Sequence, residues 1–373
     1  MLKELTLRHW KSFEDATLHI DPLTVLIGTN ASGKSNVVDA LLFMQRVIDG
    51  IDPTQALHGT DHFPGLRGGT KWAAKQGQYI FTLSAVFDVG EITDYVYSIR
   101  AQVQANQCGV AFNTTNRQMD RLSHLDHDDR LADQQIENEV KTIFRNIFIL
   151  DPIPSRMRGF SAFTDTLNPD ASNIAGVMAA LEANKKRELE ELFKRYCQHL
   201  PEGDFQRIWA EQVGRLQEDA MLYCEEKWGG DNTKSQIIDA RSMSDGTLRL
   251  LAILTALFTR PAGSLLVIED VDSGLHPSRA GLLVQMLKEE GKKRGVDVLL
   301  TTHNPALLDA LGPEMLPFIT VVHRDPHSGE SRLTPLEEAP QLAKLLAFGP
   351  VGRLAASGRI EEAMRNKGKV AHG

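Results

Sequence analysis

Residues 28–35 read GTNASGKS, preceded by Leu23-Thr24-Val25-Leu26-Ile27 and followed by Val37, Val38, Leu41, Leu42, Val47 and Ile48. The octapeptide satisfies GxxxxGK[ST] at each fixed position. The apolar run before it reads as a buried strand, and the apolar residues after it recur at helical spacing. Strand, Gly-containing turn and helix thus follow in the required order. Such a turn frees backbone N–H groups that converge on phosphate oxygens, with the helix dipole behind them. In that geometry Lys34 pairs with the β- and γ-phosphates of a nucleotide and Ser35 places its hydroxyl on Mg²⁺. The bland alternative is a Gly-rich turn without nucleotide, and the two correct flanks weigh against it.

Upstream, residues 2–7 and 16–20 alternate apolar and polar, which predicts an N-terminal hairpin around the turn HWKSFED. Trp10 and Lys11 in that turn either cover a sheet edge or face the nucleotide. Downstream, residues 58–75 read as a surface loop, and 79–87 and 95–103 as two strands of an antiparallel sheet. From 104 to 215 the periodicities weaken. Residues 136–148 and 179–200 predict helices, and the segment HLDHDD at 124–129 reads as a solvated loop rather than a metal site. Regular pattern returns with strands at 220–227 and 235–240 around Gly229-Gly230-Asp231-Asn232. There follow RSMSDGTLRLLAILTALF, a polar turn opening onto an apolar helix, and the buried strand 265–268, which ends in Glu269-Asp270. A helix over 278–294, a buried strand over 296–301 ending in Thr302-His303-Asn304, a strand over 319–323 and short tail helices complete the chain. Carboxylates at the C-terminal tip of a buried strand lie where ligands bind in parallel α/β sheets.

A chain of 373 residues with 42% hydrophobic and 24% charged residues has the composition of an ordinary globular protein. Its net charge of -8 excludes a surface that is basic throughout, so nucleic acid would need a local patch. Arg145, Arg156, Arg158 and the residues 185–187 are the candidates. Cys108, Cys197 and Cys224 are too few and too scattered for a disulfide framework or a metal site, and they fit a reducing compartment. Charges interrupt any apolar run at the N-terminus, and the longest apolar stretch, 250–258, is about half a bilayer span. A cytoplasmic protein without a membrane partner is expected.

Four separated strings, GTNASGKS, SMSDGT, IEDVDSGLHP and TTHN, together with RHWKSF near the N-terminus, resemble the nucleotide-binding heads of the ABC class. The likeness is to the RecF/SMC-like and overcoming-lysogenization-like branch of AAA-type ATPases, and it covers roughly residues 1–100 and 216–325. It implies an α/β P-loop NTPase fold: an ABC-ATPase head with an antiparallel β subdomain and a mostly helical insertion. The expected divisions are an N-terminal lobe over 1–103, the insertion over 104–215, a C-terminal lobe over 216–334 and a tail over 335–373. Carried over residue by residue, the resemblance assigns Gly28, Asn30, Ala31, Gly33, Lys34, Ser35 and Asn36 to ATP. Ser35 and Glu269 fall to Mg²⁺, Asp270 to the general base, and His303 to the γ-phosphate sensor, with Lys34 also catalytic. The resemblance further implies that Ser244 and Gly246 meet the γ-phosphate held by another copy, with residues 272–276 crossing between the two. The Glu-Asp order departs from the usual Asp-Glu. A base one methylene shorter stands about 1.5 Å further from the attacking water, and displacements of that size cost roughly a hundredfold in rate. No Gln-loop residue is clear: Asp151, Gln102 and Gln104 are the candidates.

The leading expectation is an ATPase that dimerises around ATP and switches DNA or a separate effector, a nuclease or toxin, in anti-phage defence or DNA repair. A scaffold that holds ATP with little turnover is the alternative. Only about fifty residues follow His323 and they hold no DxD pair, so a nuclease domain is not expected there. A small-molecule kinase would explain neither SMSDGT nor TTHN, and the RecF-like opening speaks against a transporter subunit.

Overall fold

The computed structural model describes residues 1–370 except 90–91, 105–106, 118–128, 198–203, 216, 229–233 and 275. The run His124–Asp129, apart from Asp129, and the turn 229–232 lie outside the described residues. At the centre is a six-stranded sheet in the order Ser331–Pro335, Ile319–Arg324, Leu23–Ile27, Asp297–Thr302, Leu265–Ile268, Ile147–Leu150. Its neighbours are parallel except for the edge strand Ser331–Pro335. Strands such as Leu23–Ile27 and Leu265–Ile268 are apolar on both sides because both faces are covered. Leu266 and Ile268 pack into one core and Leu265 and Val267 into the other, and Leu299 and Leu300 divide in the same way.

The first core holds the helices Asp245–Thr259 and Ala280–Arg294 together with a smaller antiparallel sheet, in which Asp219–Trp228 pairs with Asp204–Val213 and Lys234–Asp239. The second core lies between the helix Lys34–Ile48 and a five-stranded antiparallel sheet ordered Asp15–His19, Leu2–Arg8, Ile80–Val89, Ile92–Gln104, Gln107–Arg117. The rings of Trp10, Phe43 and Phe81 meet there at 4.9–5.7 Å between centroids. Trp10 is 0% exposed, so of the two readings of its turn the packing one holds. Its indole N–H donates to Asn36 O at 2.8 Å. That bond pins the start of the helix that follows the phosphate loop.

The middle of the chain does more than insert. Its helices, Asp129–Arg145, Pro154–Met157, Ile174–Ala180 and Ala183–Cys197, are interspersed with strands that join the three larger sheets. Residues 136–148, expected as one helix, divide: the helix ends at Arg145 and Ile147 begins the edge strand of the central sheet. The supposed basic patch is largely consumed within the chain. Arg145 pairs with Asp49 at 2.6 Å, Arg156 with Asp170 at 3.0 Å, Lys186 donates to Ala210 O at 2.7 Å, and Arg187 donates to Asn184 Oδ1 at 2.7 Å. The three cysteines are buried, and burial pushes their thiols up to about 12. Among the described residues no helix is long and apolar enough to cross a membrane, and no cluster of metal-ligating side chains occurs.

Candidate nucleotide-binding site

The central strand Leu23–Ile27 lies between Ile319–Arg324 and Asp297–Thr302, and the loop at its C-terminal tip is 28–35. The backbone there leaves room only for glycine at two places. Gly28 has φ 148° and a Cβ on it would stand 2.1 Å from Val322 O; Gly33 has φ 121° and its Cβ would stand 2.7 Å from Ser331 Oγ. Ala31 is left-handed as well, with φ 63°. Distant residues hold this shape. Arg324 donates to Ala31 O from Nε and Nη2 at 3.2 and 3.0 Å, Ser331 Oγ donates to Ser32 O, and Asn36 Nδ2 donates to Ser12 Oγ at 2.8 Å.

Asn30, Ala31, Gly33, Lys34, Ser35, Asn36, Asp270, Thr301 and Arg324 line one cleft of about 300 Å³. Lys34 and Asp270, 236 positions apart in the chain, thus share a wall. The Lys34 ammonium donates to Gly28 O at 2.7 Å and Thr29 O at 3.1 Å. Burial holds its proton affinity below the usual lysine range, against the charges of Asp270, Glu269 and Glu361, which raise it. Such a lysine is poised to exchange two loop carbonyls for phosphate oxygens. Ser32 Oγ is buried with no hydrogen-bond partner among the described residues. The anion-ready loop, the hydroxyl of Ser35 and two neighbouring carboxylates suit a triphosphate with a hard divalent cation, whose donors are oxygens.

The carboxylates differ. Glu269 is 15% exposed and is gripped by the Arg67 fork, Nη2 to Oε2 at 2.6 Å and Nη1 to Oε1 at 3.3 Å. Arg67 also approaches Asp39 at 3.6 Å and Ser35 O at 3.4 Å, while Asp39 is bound by Lys11. Burial works to lower the Arg67 proton affinity, and the bond and charge of Glu269, then Asp39 and Asp151, outweigh it. Asp270 is 58% exposed and left-handed at φ 43°, with its N–H donating to Thr301 Oγ1 at 2.8 Å. A non-glycine residue held there costs of order 1 kcal/mol and points its side chain out of the strand line. His303 Nδ1 lies 3.7 Å from Asp270 Oδ1, so the tips of two adjacent strands bring these groups together. Asn304 caps the next helix through Ala306 N at 2.9 Å. Asp272 is buried and accepts from Thr302 Oγ1.

Ser244 and Gly246 are not among the residues lining the Lys34 cleft. Ser244 is exposed and caps the helix Asp245–Thr259, its Oγ accepting from Thr247 N at 3.1 Å, while Gly246 is buried behind it. The turn is braced by Arg158, whose Nη1 donates to the carbonyls of Ala240, Arg241 and Met243 at 3.0, 2.9 and 2.7 Å and whose Nη2 meets Asp245 Oδ1 at 2.5 Å. Arg158 thereby braces this turn. Of the Gln-loop candidates, Asp151 follows Leu150, which is registered against Ile268, so it lies at the strand tip beside Glu269; burial raises its carboxyl. Gln102 and Gln104 belong to the outer antiparallel sheet. Arg67, Arg324 and Ser331 were not singled out from the sequence.

Residues 23–309 match the family described as "AAA domain, putative AbiEii toxin, Type IV TA system". No curated protein matches the sequence. The fold is similar to an Smc head domain with an extended coiled coil bound to the C-terminal domain of ScpA, derived from Pyrococcus furiosus, with a TM-score of 0.55 and 14% identity over 93% of this chain and 98% of that one. It is also similar to an SmcHead bound to the C-winged helix domain of ScpA, with a TM-score of 0.54 and 16% identity over 89% of this chain and 96% of that one. With the match extending from the strand before the phosphate loop to the helix after His303, the chain belongs to this family of AAA ATPase domains and has the fold of an ABC/SMC-type head.

Proposed function

We propose that the chain binds Mg²⁺ and ATP in the Lys34 cleft, that two copies close around the nucleotide, and that the resulting switch drives a separate effector. One observation carries this reading. Lys34, Ser35 and Asp270 line a single cleft, whereas Ser244 is exposed outside it on a braced helix start. A helix N-terminus facing solvent is half of an anion site, and a second copy supplies the other half. Gly28, Asn30, Ala31, Gly33, Lys34, Ser35 and Asn36 would hold the phosphates. Ser35 and Glu269 would hold Mg²⁺, which neutralises the developing charge on the phosphates. Asp270 would accept a proton from the attacking water, His303 would contact the γ-phosphate, and Ser244 and Gly246 would meet it from the other copy.

The family description names a putative toxin of a type IV TA system, in keeping with a toxin-linked role, and the ScpA-bound SMC heads support a head that carries a separate protein; a nuclease partner and a part in anti-phage defence come from the sequence resemblance. DNA contact, whether in defence or in DNA repair, is the weaker part of the proposal, because most of the candidate basic side chains are paired. A DNA affinity that ignored salt would remove it. Light scattering with a non-hydrolysable ATP analogue is expected to show the mass doubling in wild type and not in Lys34→Ala; an unchanged wild-type mass overturns the dimer.

A second reading, an ATP-holding scaffold with little turnover, is favoured by the Arg67 grip on Glu269 and by the shorter carboxylate at 270. Phosphate release from wild type, Asp270→Ala and Lys34→Ala separates the two. Equal rates in all three leave the scaffold.

A further inference from the structure

The phosphate cleft does not end at Asn36. Asn36 and Arg324 also line a second chamber of about 400 Å³, bounded by Ser12, Arg67, Trp72, Gln76 and Glu330 among others. The loop chemistry sets the direction in which a nucleotide runs. Lys34 and Ser35 take the β- and γ-phosphates and the metal, and the first turn of the helix at Asn36 takes the α-phosphate. The sugar and base therefore leave past Asn36, where this chamber begins.

Trp72 stands at the chamber with 55% of its surface exposed, whereas Trp10 is buried and Trp209 is stacked on Tyr223. Its placement is built rather than loose. The 3-10 turn Thr70–Trp72 rests on buried Thr70, whose Oγ1 lies 3.1 Å from His58 Nε2. Gly68, at φ 83°, sits so close that a Cβ on it would stand 2.8 Å from Trp72 Cβ. A half-bare indole beside a polar chamber is a surface that a flat π-system covers well.

The chamber's polar side chains are mostly engaged already. Lys75 bridges Glu14 and Glu330, Lys11 binds Asp39, and Arg67 holds Glu269. A site that rejects the wrong base does so with buried hydrogen-bonding groups left unpaired by it. Stacking, by contrast, tolerates any base with a large enough face.

We propose that Trp72 is the platform on which the nucleotide base stacks, and that the site takes purine triphosphates by this contact rather than by reading the base edge. The proposal rests on the phosphate-loop reading above. Calorimetric titration of the full chain with ATP, GTP, CTP and inorganic tripolyphosphate tests it, in wild type and in the Trp72→Ala, Trp72→Phe and Lys34→Ala variants. ATP and GTP are expected to bind within about threefold of each other and CTP more weakly. Trp72→Ala should weaken ATP and GTP about tenfold and leave tripolyphosphate unchanged, with Trp72→Phe retaining most of the affinity. Wild-type ATP affinity in Trp72→Ala overturns the stacking contact. So does an equal loss of tripolyphosphate, which makes the ring a support of the loop, and so does a hundredfold preference for ATP over GTP. Undiminished binding of all four probes by Lys34→Ala overturns the phosphate-loop reading and this proposal with it, whereas failure at Trp72 alone leaves that reading standing.

Discussion

Lys34 lies 8% exposed with its ammonium wrapped by two carbonyls of its own loop, and behind it Glu269, Arg67, Asp39 and Lys11 form an alternating chain of charge. Ser244, outside that cleft, is exposed, and Arg158 holds its turn from behind through three carbonyls. One end is a cleft whose charges already have partners within the chain. The other is an exposed helix start outside that cleft. The difference is what the proposed two-copy site requires: in that proposal the cleft exchanges its internal partners for a nucleotide, and the Ser244 surface meets the cleft of a second copy.

The comparison breaks most completely at Lys34. Lys34→Ala removes charge-assisted bonds to two phosphates, each worth about 1.5–3 kcal/mol, so ATP affinity should fall at least roughly a hundredfold in a direct titration. Dimerisation with ATP should vanish with it. Ser244→Arg should separate the two ends instead. ATP binding to the single chain should stay within about twofold of wild type, because Ser244 does not line the cleft. The ATP-driven rise in mass should disappear. If Ser244→Arg weakened ATP binding by the monomer as strongly as Lys34→Ala does, the two ends would belong to one cleft in one chain.

Arg158→Ala sharpens the contrast by loosening one end from within. A charged group donating to three carbonyls and a carboxylate contributes on the order of 1–3 kcal/mol, so denaturant unfolding should show a loss of that size. The dimer should weaken further while monomer affinity for ATP holds.

How far these ends were legible in the sequence follows from how local each signal is. GTNASGKS carries its own strand, turn and helix, and SMSDGT its own cap, so both could be located without knowing what lies beside them. The braces could not. Arg67 and Glu269 are 202 positions apart, Arg324 and Ala31 293, and Ser331 and Ser12 319. No periodicity connects residues across such distances. The short apolar run Ile147–Leu150 follows a helix with no Gly or Pro between them, so its first two residues, Ile147 and Phe148, read as more helix. Gln107–Arg117 and Ser331–Pro335 are edge strands. Their sequences, SRLTP and QCGVAFNTTNR, hold too few apolar residues in alternation to mark a strand, and neither is predicted from the sequence. Trp10, an aromatic beside a lysine, had the same pattern in either role, and only its 0% exposure decided between them.

Arg67 tests whether the cleft's internal pairing competes with the metal. Its side chain is 57% exposed, so after solvent screening the fork on Glu269 is worth no more than about 1 kcal/mol. Arg67→Ala should therefore lower the Mg²⁺ concentration that half-saturates ATP binding by about fivefold. No change would mean that Glu269 is as available to a cation with the arginine as without it.

The smallest effect lies at the opposite end of the same sheet, where a carboxylate lacks what Glu269 has. Asp297 begins the strand that ends in Thr302, and burial pushes its carboxyl up to about 6, with the Met1 amino group opposing and Asp21 adding to the rise. A folded-state value above the unfolded one of about 3.9 means that the neutral form is preferred in the fold. That contribution is complete below pH 4 and is lost as pH rises through 6. Asp297→Asn, which stays neutral, should therefore match wild type in denaturant unfolding near pH 4 and exceed it by about 1 kcal/mol above pH 7, the full shift being discounted for partial exposure. A wild type that gained stability on Asp297 between pH 4 and 7 would show the carboxylate to be paired, as Glu269 is, and would erase the distinction between the charged end of this sheet and the end that merely buries a charge.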